Sequence, residues 1–130
     1  MPYGRTPPPG SPADTTAYLR LKFADYKNEV FAVIFLDNRN RVLTFEEMFQ
    51  GTINGASGHP RVIVQRALEL NSAAVIFVHN HPSGVSEPSQ ADEQLTRRLK
   101  DALALVDVRV LDHIVVGVTE TTSFALRGLI

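Results

Sequence analysis

Ala73-Ala74-Val75-Ile76-Phe77-Val78-His79-Asn80-His81-Pro82 is the stretch whose reading decides the fold. Six apolar residues run without interruption from Ala73 to Val78, bounded by Asn71-Ser72 before and Pro82 after. A run that short and that rich in β-branched side chains predicts a strand buried on both faces. Pro82 has no amide hydrogen to give to a ladder, so the chain must turn away and leave His79 and His81 at an open rim. Upstream, Pro60 stands where a helix begins. Val62, Ile63, Arg66, Ala67 and Leu70 recur at helical spacing, and Asn71 can end that helix. Downstream, the loop Ser83-Gly84-Val85-Ser86-Glu87-Pro88 leads into a long helix from Ser89 to about Val106, with Leu95, Leu99, Ala102, Leu103 and Val106 on its apolar face.

The same alternation of strand and helix extends in both directions. Glu29 and Asp37 bracket Val30-Phe31-Ala32-Val33-Ile34-Phe35-Leu36, a second doubly buried strand. Asp37-Asn38-Arg39-Asn40 is a turn, and Arg41 to Phe45 returns as the hairpin partner. Gln50 to Asn54 predicts a third strand, followed by the loop Gly55 to His59. Val108 to Leu111 and Ile114 to Val118 predict two last strands, split near Asp112-His113. Asp14 and Thr15 can cap a first helix to about Ala24, in which Leu19, Leu21 and Phe23 give a mixed pattern. Residues 1–12, MPYGRTPPPGSP, hold five of the eight prolines and cannot propagate a helix or a central strand. The expectation is a flexible arm over 1–12 and one α/β domain over 13–130, a mixed β-sheet flanked by helices.

Composition narrows the function. The chain has 130 residues, enough for one domain, and a formal net charge of −1. Near-neutral charge argues against holding nucleic acid by bulk electrostatics. No apolar run approaches the roughly 20 residues that cross a bilayer. No basic segment precedes an apolar one as in a secretory signal, so a cytoplasmic location is expected. With no cysteine, disulfides, thiol nucleophiles and cysteine zinc sites are excluded. That also excludes the zinc nucleoside deaminase pattern, which needs H-x-E and P-C-x-x-C.

Chemistry is concentrated in few residues. His79 and His81 are two apart at a strand end, so they share a face and can converge on one ion. Alone, the pair reads first as two half-exposed histidines at a strand end. Ser89-Gln90-Ala91-Asp92 reads first as a capping box, Ser89 at the N-cap and Asp92 reaching back. The two uses are compatible, because Asp92 would still project from the first turn toward the histidines. His113 beside Asp112 reads as structural or as a pair supporting the site, and His59 reads as solvated. Arg97, Arg98 and Lys100, with Glu93 four residues before Arg97, read as an ion-paired exposed face. Arg61 and Arg66 are thin support for a phosphate patch.

The spacing carries more than the parts. His79-x-His81-Pro82, six residues, then Ser89-x-x-Asp92 resembles the motif of the JAMM (MPN-plus) zinc metalloprotease family at all five specified positions. Gly51 to Asn54, Pro60-Arg61, Pro88-Ser89, Thr96 and Asp112 to Gly117 add a resemblance to the bacterial RadC branch from about Ala17 to the C-terminus. The resemblance implies a JAB/MPN-like, cytidine-deaminase-like α/β/α sandwich. It implies Zn²⁺ held by His79, His81 and Asp92, and Ser89 stabilising an oxyanion. It also implies a glutamate general base ahead of an early strand. Glu29 fits that place, with Glu46 and Glu47 as rivals. The implied reaction is attack of metal-activated water on an amide carbonyl of a protein or peptide, isopeptide-linked substrates included. The other implied reading is a DNA-repair-associated protein with a structural metal site. Many RadC-like chains resemble a two-part design with a helix-hairpin-helix DNA-binding region upstream. About a dozen Pro-rich residues stand there in this chain, so DNA binding is expected to be weak or absent.

Overall fold

The computed structural model describes residues 12–51, 59–82 and 84–130. Along them run α1 (Pro12–Phe23), β1 (Val30–Leu36), β2 (Val42–Gln50), α2 (Pro60–Glu69), β3 (Ala74–Asn80), α3 (Gln90–Ala104), β4 (Arg109–Val116) and β5 (Thr121–Ser123). The strands form one sheet in the order β2-β1-β3-β4-β5. β1 is antiparallel to both β2 and β3, β3 is parallel to β4, and β4 is antiparallel to β5. A parallel pair needs a crossover, and α3 supplies it between β3 and β4. The result is the mixed α/β sheet flanked by helices that the sequence predicts.

Every residue of β1 is buried, so both of its faces must be covered. Strand alternation sends Phe31, Val33 and Phe35 to one face, where they meet Ile63 and Ala67 of α2 and Leu95, Leu99 and Leu103 of α3. Val30, Ala32, Ile34 and Leu36 go to the other face, against Leu19 and Phe23 of α1. The Asp37–Asn40 turn is closed by the Asp37 carboxylate, which accepts from the amides of Arg39 and Arg41 at 2.8 and 2.9 Å. Asn40 adopts a φ of 60°, a left-handed conformation that asparagine tolerates. Among the described residues, no helix is long and apolar enough to cross a membrane.

Several boundaries differ from the sequence reading. The expected split at Asp112-His113 is absent, and β4 runs unbroken from Arg109 to Val116. The irregularity is a one-residue bulge: Val75 faces Val110 but Ile76 faces Asp112, which leaves Leu111 unmatched. β2 extends past Phe45 to Gln50, and Gly51 turns with a φ of 88°. Most of the expected third strand lies in 52–58, outside the described residues. So do residues 1–11 of the expected arm, and Ser83. Helix α1 starts at Pro12 rather than after Asp14. The short β5 carries too little pattern to be legible. β3 continues through His79 and Asn80, so His79 lies inside the sheet rather than at its rim.

Candidate metal centre

His79 and His81 project from one face at the C-terminal end of β3. β1 lies antiparallel beside them with Phe31 opposite His79, which carries Glu29 to the level of His81. α3 approaches from the same side and presents Asp92 from its first turn. One ligand atom from each of Glu29, His79, His81 and Asp92 lies within 4.8 Å of all the others. The two Nε2 atoms are 3.0 Å apart. Asp92 Oδ1 is 3.2 Å from His79 Nε2, and Asp92 Oδ2 is 3.4 Å from His81 Nε2. Glu29 Oε2 stands further back, 3.5 Å from His79 Nε2 and 3.8 Å from His81 Nε2. Ligand atoms around a tetrahedral zinc at about 2.0–2.1 Å are separated by about 3.3 Å. The two imidazole nitrogens are near that spacing from each other, and each is near it from one Asp92 oxygen, so two nitrogens and a carboxylate are a donor set of the kind a small borderline cation takes.

His81 and Asp92 are each oriented by a neighbour. His81 Nδ1 is 3.0 Å from the Val85 carbonyl. A carbonyl only accepts, so Nδ1 carries the proton and Nε2 offers its lone pair inward. The strand behind that loop approaches closely at Gly117. A Cβ there would meet the Ser86 nitrogen at 2.7 Å and the Val85 carbonyl carbon at 3.1 Å. Asp92 serves the helix and the cluster together. Its Oδ2 accepts from the Ser89 amide at 2.8 Å, while the Ser89 hydroxyl accepts from the Asp92 amide at 3.0 Å. Burial pushes the Asp92 carboxyl up, but His79, His81 and the Ser89 amide outweigh it and hold it far below the usual carboxylate range. His81 is raised, chiefly by its contact with Asp92 and against its own desolvation. The environment thus keeps a carboxylate charged beside two imidazoles.

Residues 10–129 match the family described as RadC-like JAB domain. The chain belongs to that family. It is 63% identical over 120 residues to UPF0758 protein Tgr7_0100 of Thioalkalivibrio sulfidiphilus, covering 92% of this chain and 53% of that relative. It is 60% identical over 126 residues to a UPF0758 protein of Halorhodospira halophila, covering 97% and 56%. A UPF0758 protein of Vibrio cholerae is 60% identical over 115 residues, covering 88% and 72%. The chain spans about half the length of the first of these relatives. These names assign no activity.

Other residues of this RadC-like domain fall away from the cluster. Glu46 binds Arg66 through both carboxylate oxygens at 2.8 Å. Glu47 accepts from the Tyr26 hydroxyl. His59 is exposed, with its ring 5.7 Å from that of Phe49. Arg97, Arg98 and Lys100 lie exposed on α3. Ser86 is buried and bonded to Thr122 at 2.8 Å.

The suggested Asp112–His113 pair does not form at the ring, because neighbours in a strand face opposite ways. Asp112 instead pins the C-terminal turn, accepting from the Ser123 hydroxyl at 2.6 Å and the Ala125 amide at 2.9 Å. The His113 ring is fully buried, with Nε2 2.8 Å from His79 Nδ1 and Nδ1 against the Thr96 hydroxyl. The sequence reading missed this contact and the role of Asn80. The only signal for either was their presence in the resembling motifs.

Proposed function

We propose that this domain is a zinc-dependent hydrolase that cleaves an amide or isopeptide bond in a protein or peptide. The observation that carries the reading is the convergence of Glu29, His79, His81 and Asp92 within 4.8 Å. Two neutral nitrogens and one carboxylate are a donor set that zinc takes while keeping a position open. His79, His81 and Asp92 would hold the ion. When bound, zinc supplies Lewis acidity, which acidifies water and polarises a carbonyl. Glu29 would be the general base. Its carboxylate stands behind the ligand atoms and is partly open to solvent, which suits a group that accepts a proton and returns it to the leaving amine. Ser89 would donate its hydroxyl hydrogen to the developing oxyanion, because its oxygen already accepts from the Asp92 amide and its proton is uncommitted in that bond.

The experiment is a proteome-wide cleavage screen comparing the wild type with Glu29→Gln. Gln keeps the shape and cannot take a proton. The variant should keep its zinc and lose turnover by at least about 10²-fold, the lower end of general-base effects. Equal cleavage by both forms would remove Glu29 from the mechanism. Absence of cleavage by a zinc-loaded wild type would favour a DNA-repair-associated protein with a structural metal.

A further inference from the structure

The Val85 carbonyl that meets His81 Nδ1 belongs to a residue that anchors nothing by itself, because the Val85 side chain is 66% exposed. The place of that carbonyl is therefore set by what holds the backbone on either side of it. Before it, the Gly84 carbonyl accepts from the Val118 amide at 3.2 Å. After it, the Ser86 hydroxyl is 2.8 Å from the Thr122 hydroxyl. Ser86 is 1% exposed and Thr122 is 7% exposed. Glu87, the next residue, pairs with Arg127 at 2.8 Å, but both side chains are exposed, and an exposed ion pair holds little. The Ser86–Thr122 bond is the costly one to lose, because a buried hydroxyl has no water to turn to.

Gly117 lets the two segments lie this close. A Cβ there would meet the Ser86 nitrogen, the Val85 carbonyl carbon and the Glu120 carbonyl oxygen at 2.7, 3.1 and 3.2 Å, all of them backbone atoms with little room to give. β5 has only three residues, yet its place is fixed from two sides. Thr122 pairs with Val115 in the ladder. Beyond it, the Ser123 hydroxyl donates to Asp112 at 2.6 Å, and the Phe124 amide donates to the His113 carbonyl at 3.0 Å. Thr122 is thus a fixed post standing beside a loop that lacks one of its own.

We propose that Thr122 is a positioning residue: through its bond to Ser86 it holds the loop between β3 and α3 so that the Val85 carbonyl stands at the His81 ring. The C-terminal hairpin, which contributes no atom to the cluster of Glu29, His79, His81 and Asp92, then helps to set the direction in which His81 points. The hold on the loop stands on the contacts just given, while its consequence for zinc rests on the metal reading above. A ligand whose orienting partner is loosened binds metal more weakly, because the ring must be ordered at the moment of binding.

The test is amide hydrogen exchange on the metal-free chain beside chelator-competition measurement of zinc affinity. The Val118 amide reports the loop, because it donates to Gly84. Thr122→Val leaves the Ser86 hydroxyl without this partner. It should lower the melting temperature and speed Val118 exchange by about tenfold, the scale of losing one buried partner. Zinc binding should weaken by about tenfold, the lower end for groups that orient metal ligands. Thr122→Ser keeps the hydroxyl and should restore all three. The double variant Ser86→Ala/Thr122→Val removes both hydroxyls together. Its melting temperature and its core amides in β1 and β3 should return to wild-type behaviour, while Val118 exchange stays fast and zinc binding stays weak. A role in stability alone would bring zinc affinity back with the melting temperature. Wild-type Val118 exchange or wild-type zinc affinity in the folded double variant would overturn the proposal, and that variant decides even if Thr122→Val alone fails to fold. The expected exchange pattern in a chain whose wild type takes up no zinc would support the hold on the loop and defeat the metal reading instead.

Discussion

Asn80 stands between the two histidines and points to the opposite face of the sheet. Its Oδ1 accepts the Val30 amide at 2.7 Å, and its Nδ2 donates to the Asn28 carbonyl at 3.1 Å. Those two bonds grip the backbone on either side of Glu29, and the Gly51 amide adds a third by donating to the Glu29 carbonyl at 2.8 Å. One buried amide thus ties the strand that carries the histidines to the residue proposed as base. Asn80→Ala leaves the buried Val30 amide without its partner, which costs about 1–3 kcal/mol. Its midpoint in urea should fall accordingly. Cleavage should fall further than the stability loss explains, while zinc affinity stays near that of the wild type, because no ligand is touched. Asn80 is legible in the sequence only as the middle of H-x-H. Its partners are about fifty positions away, and pairing at that distance depends on the register between β1 and β3.

The first turn of α3 does two jobs at the scale of the element. The capping box was legible because S-x-x-D has a local cause: four amides at a helix start need acceptors within a few residues. Ser89→Ala removes one acceptor and should cost about 1 kcal/mol of stability. Ser89→Gly costs only a few tenths of a kcal/mol at such a position but also lacks the hydroxyl. Thermal melts beside turnover separate the roles. If the hydroxyl stabilises an oxyanion, both variants lose activity equally although only Ser89→Ala loses much stability.

A second element-scale contact ties the connection after α1 to β2, where the Tyr26 hydroxyl donates to Glu47. That bond, with burial and the negative charge of Glu47, pushes Tyr26 up to about 12. A pKa raised in the folded state gives stability that is whole below the unfolded value near 10 and is lost as pH rises through about 12. Ultraviolet titration should show one tyrosine ionising late, and Glu47→Gln should bring it back toward about 10.

The whole molecule explains why some of this was visible in the sequence and some was not. Doubly buried β1 and β3 announce themselves as apolar runs, and helix α3 as a stripe at Leu95, Leu99 and Leu103. A mixed sheet between helices follows from their alternation. The place of His113 does not. Its polar neighbour Asp112 made an unbroken strand look like two, because local pattern cannot show that Ser123 and Ala125 supply partners for that carboxylate. The bulge at Leu111 then sets His113 opposite Phe77 and its ring against His79, a juxtaposition created by the pairing of β3 with β4. His79, His81 and Asp92, the proposed ligands, were singled out together because one strand, one loop and one helix carry them at the spacing of the motif they resemble. Glu29 reaches them through strand register, and that is why Glu46 and Glu47 competed with it until the pairing was known.

The measurement that tests the account most directly is zinc stoichiometry and affinity by chelator competition on the intact chain, with His81→Ala beside it. The account predicts one zinc per wild-type chain and a melting temperature that climbs with free zinc, as binding to the folded state requires. It predicts loss of both effects in His81→Ala. Equal zinc uptake by the two proteins, or no uptake by the wild type, would contradict it.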